Sequence, residues 1–587
     1  MEPAIPGTIG VVFMTKRIAV LEPPFIEPGM PYPEIHRIVR IFQSLGSAAT
    51  PIDINVRLYR QMLNNTPSFY NHDLLTKCLG KALFIDQSDK SIEKILWNNR
   101  QDGGYLDNAG LPLLLSRALS LLSGDSLQVN HDDYVISQEI LNGFLDYTVK
   151  MVDPNAQLWL DYYQNEINIH RSQEVLEYAK NPANRLRRLY RTFLDKEVSG
   201  WDYDTVLIVI RNQSQQLPGI VLSAWLKMEY DFNTALTGNH LDTILSIACP
   251  AGIFEVCNEI IAFKIDYSAK SFLADVEHPY ILKEKSADYP HFDLSMKEVD
   301  VLPGIIPAID TAEYITPFPV VGASVSYRCY WSNCAFCSLA DEKKYPFNRL
   351  KSNDIHIDLK TLKEKYDISH VQFLDYATPP ALLIRDFCNY QDLDIYWAAQ
   401  LRFENSYAAG NIFRQLYNTG CTLLSWGFES GSSKVLESVR KGGITDNEKR
   451  AELLRKSSDS GILNHLFVIA GLPGETDGDF IETVHFIYEN QDFVNGLEVY
   501  PYQLVPHTRL FRTLAGKRII DKDEEDWNLD ISFRERSEVE VVEERVEYIK
   551  KTFGFLSQRS KTNDFLEGHL TLKRSHFNED YEHEFAL

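Results

Sequence analysis

Three of the eight cysteines fall within nine positions, in the run Ser326-Tyr327-Arg328-Cys329-Tyr330-Trp331-Ser332-Asn333-Cys334-Ala335-Phe336-Cys337. The other five, Cys78, Cys249, Cys257, Cys388 and Cys421, are scattered and read as small buried hydrophobes. Four and then two residues separate the clustered thiols, so one turn-rich segment can aim three soft thiolates at a single inorganic centre. That donor set suits zinc or an iron–sulfur cluster. A structural zinc site normally closes with four ligands, often as two CxxC-type pairs. No second pair exists, and His356 and His370 fit no finger spacing. Three ligands fit a cubane with one iron left open to bind something else. Purely structural cysteines are the remaining reading.

The sequence after Cys337 alternates in periodicity. A helix with an acidic start is expected over Ser352–Tyr366, then a strand His370–Asp375. Helix 380–390, strand 394–400, helix 406–418, strand 421–428, helices over 432–460, strand 463–470, helix 476–490 and strand 494–503 follow. Such alternation predicts βαβ units and a parallel sheet, most simply a full or partial barrel. Barrel chemistry sits at the C-terminal ends of strands, and the cysteine loop directly follows a first strand, Val320–Ser326.

Further candidates stand at the other strand ends. Asp375 closes its strand, Arg402 lies just past the next, and Trp426-Gly427-Phe428-Glu429-Ser430-Gly431-Ser432 ends a third. Ala470-Gly471-Leu472-Pro473-Gly474-Glu475-Thr476 ends a fourth and opens a helix. Each has an ordinary reading. The last is a Gly/Pro turn with Thr476 as helix cap, and it is no P-loop, since no G-K-[ST] follows. Glu429 reads as a satisfied carboxylate, Asp375 as a cap of the next turn, and Arg402 as half of a surface ion pair.

In order and together, these segments resemble a known family. The cysteine loop resembles the cluster loop of the radical S-adenosylmethionine (radical SAM) enzymes, usually C-x3-C-x2-C with an aromatic before the last cysteine. Phe336 is that aromatic, but four residues rather than three separate Cys329 from Cys334. The succession F-L-D, W-x4-R, G-F-E-S-G-S, K-G-G-I-T and A-G-L-P-G-E-T resembles the barrel of those members that carry an N-terminal cobalamin-binding domain. It covers roughly Pro317–Pro506.

The resemblance implies a [4Fe-4S] cluster on Cys329, Cys334 and Cys337, with S-adenosylmethionine (SAM) chelating the open iron. Carried over position by position, Phe336 lies beside the cofactor and Asp375 engages the methionyl amine. Arg402 faces the methionyl carboxylate, Glu429 the ribose, and the backbone of Gly471, Leu472, Pro473 and Gly474 the adenine. A reducing electron donor of flavodoxin or ferredoxin type is implied as partner. No cysteine follows Cys421, so subfamilies with auxiliary clusters on C-terminal cysteines are excluded.

The first half reads as an interrupted doubly wound α/β domain, whose ligands bind at strand C-termini. Arg17–Glu22 is a strand, Pro33–Leu45 a helix and Pro51–Asn55 a strand. A helical insertion, about 56–195, follows. Thr205–Ile210, a helix over Gln215–Met228 and Thr234–Thr237 resume the pattern. The layout resembles the cobalamin-binding domain of the same family, which implies corrin contacts at Gly238, Asn239 and His240. The D-x-H-x-x-G signature is absent, and His240 reads more readily as a surface turn residue.

The expected architecture is therefore α/β. A Rossmann-like domain spans 1–290, a linker 291–316, a radical SAM partial TIM barrel 317–510, and a helical C-terminal region with its tail 511–587. Of 587 residues, 59 are Lys or Arg and 82 are Asp or Glu, a net charge of −23. Such a surface repels phosphate backbones, so nucleic acid is not an expected partner. No apolar run is long enough to span a membrane and no signal peptide is evident, so a cytoplasmic protein is expected. The expected activity is functionalisation of an unactivated carbon, as cobalamin-dependent C-methylation of a peptide or small metabolite. A corrin-independent cyclisation, epimerisation or rearrangement enzyme, or a cluster-bearing regulator without turnover, remains open.

Overall fold

The computed structural model describes residues 16–79, 110–122, 131–266, 276–283, 313–337, 348–505, 508–514, 526–527 and 536–560, with short gaps inside these ranges. Two compact units emerge. The first holds residues 1–269, 273–317 and 524–528; the second holds 270–272, 318–523 and 529–587. Asn239, most of the segment read as a linker, and the tail beyond Ser560 lie outside the described residues.

In the first unit a six-stranded sheet is built from β1 (Arg17–Glu22), β2 (Ala48–Asp53), β3 (Thr205–Val209), β4 (Asn233–Thr237), β5 (Glu259–Asp266) and β6 (Val276–Lys283). Their order is β2-β1-β3-β4-β5-β6, parallel throughout except for the antiparallel pair β5–β6. The apolar run of β3 is buried along its whole length, as a strand covered on both faces must be. Ile35, Ile38, Val39 and Phe42 repeat at helical spacing in Pro33–Ser44 and pack on Ile18, Val20 and Leu207. The insertion between β2 and β3 is helical over Ile54–Asn64, His72–Cys78, Gly110–Leu122, His131–Val152, Ser172–Lys180 and Arg185–Val198.

Residues 524–528 were expected within the C-terminal region but belong to the first unit. There Trp527 is fully buried and its N–H donates to the carbonyl of His170 at 2.8 Å. The carboxylate of Asp526 accepts the N–H of Ser172 at 2.8 Å, at the start of a helix. The buried Trp527 indole outweighs the acidic composition around it.

The second unit carries β7 (Val320–Ala323), β8 (His370–Phe373), β9 (Tyr396–Leu401), β10 (Cys421–Glu429), β11 (Leu463–Ala470) and β12 (Gly496–Pro501). They pair in sequence order and all in parallel, the arrangement of a partial (β/α) barrel with β7 and β12 at its edges. Helices Ser352–Tyr366, Pro380–Arg385, Ile412–Asn418, Asn447–Asp459 and Asp477–Glu489 return the chain between strands. A long helix, Arg536–Ser560, packs on β12 through Val542, Val546, Ile549, Phe553 and Leu556, one apolar stripe at helical spacing.

Candidate functional site

The cysteine loop leaves the C-terminal end of β7, and Asp375, just beyond β8, fixes its departure. The buried carboxylate of Asp375 accepts the N–H of Val325 at 3.1 Å, the N–H of Ser326 at 2.6 Å and the Ser326 hydroxyl at 2.5 Å. Burial pushes its carboxyl up to about 6, against the pull of those donors. Asp375, expected to engage the methionyl amine, organises the entrance to the loop within the protein.

The loop is stapled at its far side by the segment Val439–Gly443. Ala335 donates to the Val439 carbonyl at 2.7 Å, and the Trp331 indole donates to the Arg440 carbonyl at 3.0 Å. Gly442 has φ +64°, and a Cβ there would lie 2.2 Å from the Trp331 ring. Only glycine meets both conditions. The N–H of Cys337 turns back to the Cys334 carbonyl at 3.2 Å. Ser332 takes a left-handed φ of +42° between Cys329 and Cys334, which lets the longer spacing curl within one loop.

Arg402, Glu429 and Lys441 meet behind the loop. Arg402 is buried, stacked 4.6 Å from the Trp331 ring centroid and 5.5 Å from that of Tyr330. Its Nη2 donates to the Lys441 carbonyl at 2.5 Å, and Nη1 stands 3.1 Å from Glu404. The expected surface ion pair for Arg402 is thus replaced by a buried one. Its Nε is also buried and has no hydrogen-bond partner among the described residues. The Lys441 ammonium donates to Glu429, which sits at φ +61° where β10 slips register against β11. Burial works against the Lys441 charge, but Glu429 and the Cys334 thiol outweigh it and hold the ammonium above its ordinary range. Burial pushes the Cys334 thiol up, while Lys441 and Arg402 pull it down.

Gly471–Gly474 forms a tight turn after β11, with φ +77° and +89° at the two glycines. Glu475 Oε2 accepts the N–H of Gly471 at 2.7 Å and so closes the turn. Thr476 caps the next helix reciprocally with Asp479, as its position before an acidic first turn predicts. Leu472 is buried in a cluster with Val435, Val439, Tyr502 and Leu504, and Phe336 packs against it. Phe336 and Leu472 therefore join the cysteine loop to the glycine turn through apolar contact.

Four residues of this site carried no role in the sequence reading. Lys441 was legible only as the first letter of a K-G-G run. Trp331 and Tyr330 looked like filler between cysteines. Arg450 is buried on helix Asn447–Asp459, donates to the Ser430 carbonyl at 2.9 Å and lies 4.4 Å from the Phe428 ring centroid. It holds the G-F-E-S-G-S turn from behind, and burial lowers its pKa to about 9.

The donor set fits an iron–sulfur cluster. Cys329, Cys334 and Cys337 are engaged in no disulfide, Cys334 buried and the others half-buried. Burial raises the Cys334 thiol overall, and the nearby Lys441 and Arg402 cations offset part of that rise. Among the described residues no three His, Cys, Asp or Glu side chains converge as ligands of one metal ion. A cubane asks for less convergence, because each thiolate binds its own iron. The orphaned Arg402 Nε, in turn, suits a ligand carboxylate.

In the first unit the strand ends are occupied by internal polar contacts. Glu22 accepts from Arg211 at 2.9 Å and from the Gln215 amide. Asp53 accepts the Tyr314 hydroxyl at 2.8 Å. His240 is not a surface turn residue: it is buried and its Nε2 lies 2.8 Å from Gln216 Oε1, with burial lowering its pKa to about 4. Gly238 has φ +120°, and a Cβ there would meet the Ile210 carbonyl oxygen at 2.2 Å. Its glycine is accounted for by that backbone approach.

No protein-family model matches the chain, and no curated protein matches it. Solved structures do. The radical SAM methyltransferase TsrM from Kitasatospora setae, with cobalamin and a [4Fe-4S] cluster bound, is 12% identical over 56% of this chain and 67% of its own, at a TM-score of 0.39. OxsB, a cobalamin-dependent SAM radical enzyme with aqua-cobalamin and SAM bound, is 14% identical over 67% of this chain and 65% of its own, at 0.43. Coproporphyrinogen III oxidase (HemN) from Escherichia coli, a radical SAM enzyme, is 16% identical over 38% of this chain and 50% of its own, at 0.26. Among the described residues no helix is long and apolar enough to cross a membrane.

Proposed function

We propose that this chain is a radical SAM enzyme whose [4Fe-4S] cluster is held by Cys329, Cys334 and Cys337. The observation that carries the reading is the placement of those three thiols on one loop at the C-terminal end of β7, backed by the buried Arg402–Lys441–Glu429 network. A [4Fe-4S] cluster held by these thiols would, when reduced, supply the one electron that splits SAM into methionine and a 5′-deoxyadenosyl radical able to take hydrogen from an unactivated carbon.

The chain's own residues supply position and shelter. Arg402, lying over the Trp331 and Tyr330 rings, offers its Nε to the methionyl carboxylate. Glu429, held by Lys441, presents its carboxylate to the ribose. The glycine turn lets the backbone approach the adenine closely. Asp375 and the Val439–Gly443 staple fix the loop so that these groups act on one bound conformation. Phe336 and Leu472 keep water from the side facing the turn.

The finer reading is C-methylation of a peptide or small metabolite with a corrin in the first unit. Its parallel strands end together in the manner of a ligand-binding edge. His240 is committed to Gln216, so no step is assigned to it as a corrin ligand. The same commitment, with Gly238 packed on Ile210, favours as second reading a radical SAM rearrangement without corrin.

Anaerobic reconstitution with iron and sulfide, followed by strong reductant and SAM, tests the core reading: 5′-deoxyadenosine is expected, and its absence from a cluster-loaded protein contradicts it. Addition of hydroxocobalamin separates the finer readings, because corrin absorbance retained through gel filtration supports the first and its loss supports the second.

A further inference from the structure

The long C-terminal helix Arg536–Ser560 reaches the glycine turn through one side chain. Arg545 Nη1 donates to Glu475 Oε2 at 2.8 Å, and Nη2 donates to Asp477 Oδ1 at 2.6 Å. Its guanidinium also lies 5.2 Å from the Phe480 ring centroid. The Glu475 side chain is only 1% exposed, and the oxygen that receives Arg545 is the one that accepts the N–H of Gly471. Gly471, Glu475 and Arg545 therefore form one chain of hydrogen bonds from the helix to the turn.

The charges around Glu475 define what that chain does. Burial pushes its carboxyl up, and Asp479 adds to that; the Gly471 N–H and the Arg545 cation pull it down. Asp477 faces the same guanidinium but is 90% exposed, so it is well solvated. Among the described residues, Arg545 is the cation that lowers this carboxyl, from the helix packed beside it. A buried carboxylate stripped of its cation takes up a proton or leaves its place, and either change loosens the turn.

We propose that Arg545 is a positioning residue for SAM binding: from the C-terminal helix its guanidinium anchors the buried Glu475 carboxylate that closes the Gly471–Gly474 turn, and so holds that turn in the shape that receives the adenine. This rests on the reading of that turn as the adenine contact. It makes the helix part of the cofactor site. Nothing local in the sequence marks Arg545, which ends the charge-rich run Glu538–Arg545.

The test uses the full chain, reconstituted with its cluster, and measures the dissociation constant for SAM calorimetrically from about pH 6 to about pH 8.5, with iron content as a control. In Arg545→Gln the expected result is about tenfold weaker binding at the acid end, recovering as pH rises and Glu475 loses its proton. Arg545→Lys should restore most of the loss. The double variant Arg545→Gln/Glu475→Gln should be weak and independent of pH. Ile549→Ala, which loosens the helix without touching the charge, should show no such pH dependence.

Equal affinity of Arg545→Gln and wild type at every pH overturns the proposal. So does a uniform loss that lysine fails to rescue and Ile549→Ala reproduces, since that marks a merely structural helix. If the loaded wild-type protein does not bind SAM, the reading of the whole site fails with it, and that outcome is distinct from the other two.

Discussion

The carboxylate of Asp375 accepts the main-chain N–H of Ser326 at 2.6 Å, so the end of β8 sets the direction in which the chain leaves β7 for the cysteine loop. Asp375, expected as a ligand contact, braces the start of the cysteine loop. Several consequences can be measured.

Asp375→Asn places an amide NH2 against a main-chain donor and leaves one N–H unpaired, a cost of about 1–3 kcal/mol at a buried site. Iron per chain after reconstitution should fall well below that of wild type while the far-ultraviolet circular dichroism stays unchanged. The pH dependence has a definite sign. Asp375 is pushed up to about 6 in the fold, above the ordinary 3.8. Its contribution to stability is therefore fully present below about pH 4 and lost as pH rises through about 6, up to about 3 kcal/mol in all. The slope of Tm against pH across that window should be shallower in the variant than in wild type.

Gly442→Ala drives a methyl group into the Trp331 ring at a left-handed backbone position. The indole must leave its bond to the Arg440 carbonyl. Near-ultraviolet circular dichroism should change in the tryptophan region, and cluster loading should fall by half or more. An unchanged spectrum with full loading counts against the staple.

Lys441→Met leaves Glu429 buried without its cation and removes a positive charge beside Cys334. Cluster assembly should survive, because the three thiols remain. SAM affinity should drop by about tenfold or more, the usual consequence of breaking a buried ion pair from one side. Isothermal titration with SAM, normalised to iron content, reads this directly.

Arg450→Met removes the donor that reaches the Ser430 carbonyl and the cation lying over Phe428. The expected loss is about 2–4 kcal/mol, enough to lower Tm by several degrees. Arg450→Lys should recover part of it, since lysine reaches one carbonyl where arginine reaches more.

The barrel was legible in the sequence because its signals are local and repeated. Leu463–Ala470 reads as a strand from its apolar run alone, and Ser352–Tyr366 as a helix from its period, and both form as expected. The three cysteines were legible because spacing on one loop is itself geometry. Residues that act across the fold left no such trace. Lys441 meets Glu429 only because Val439–Gly443 folds back over the loop, and Arg450 meets Ser430 only because a helix packs behind β10. Trp527 lies in an acidic stretch whose composition speaks for solvent, yet it is buried in the first unit. His240 misled in the same way: a turn sequence said surface, while the Gln216 amide gave it a buried partner. The insertion between β2 and β3 was legible as helical but not in its role, because Tyr163 stacks on Phe25 5.0 Å away through a hairpin no period announces.

The central claim is that three thiols on one loop hold the cluster that cleaves SAM. The measurement that tests it most directly compares wild type with Cys334→Ala, both reconstituted anaerobically, for iron and sulfide per chain and for 5′-deoxyadenosine formed under strong reductant. Wild type should bind close to four irons and make 5′-deoxyadenosine, as a cubane requires, whereas the variant should lose both. A Cys334→Ala protein that keeps its cluster and still cleaves SAM contradicts the account.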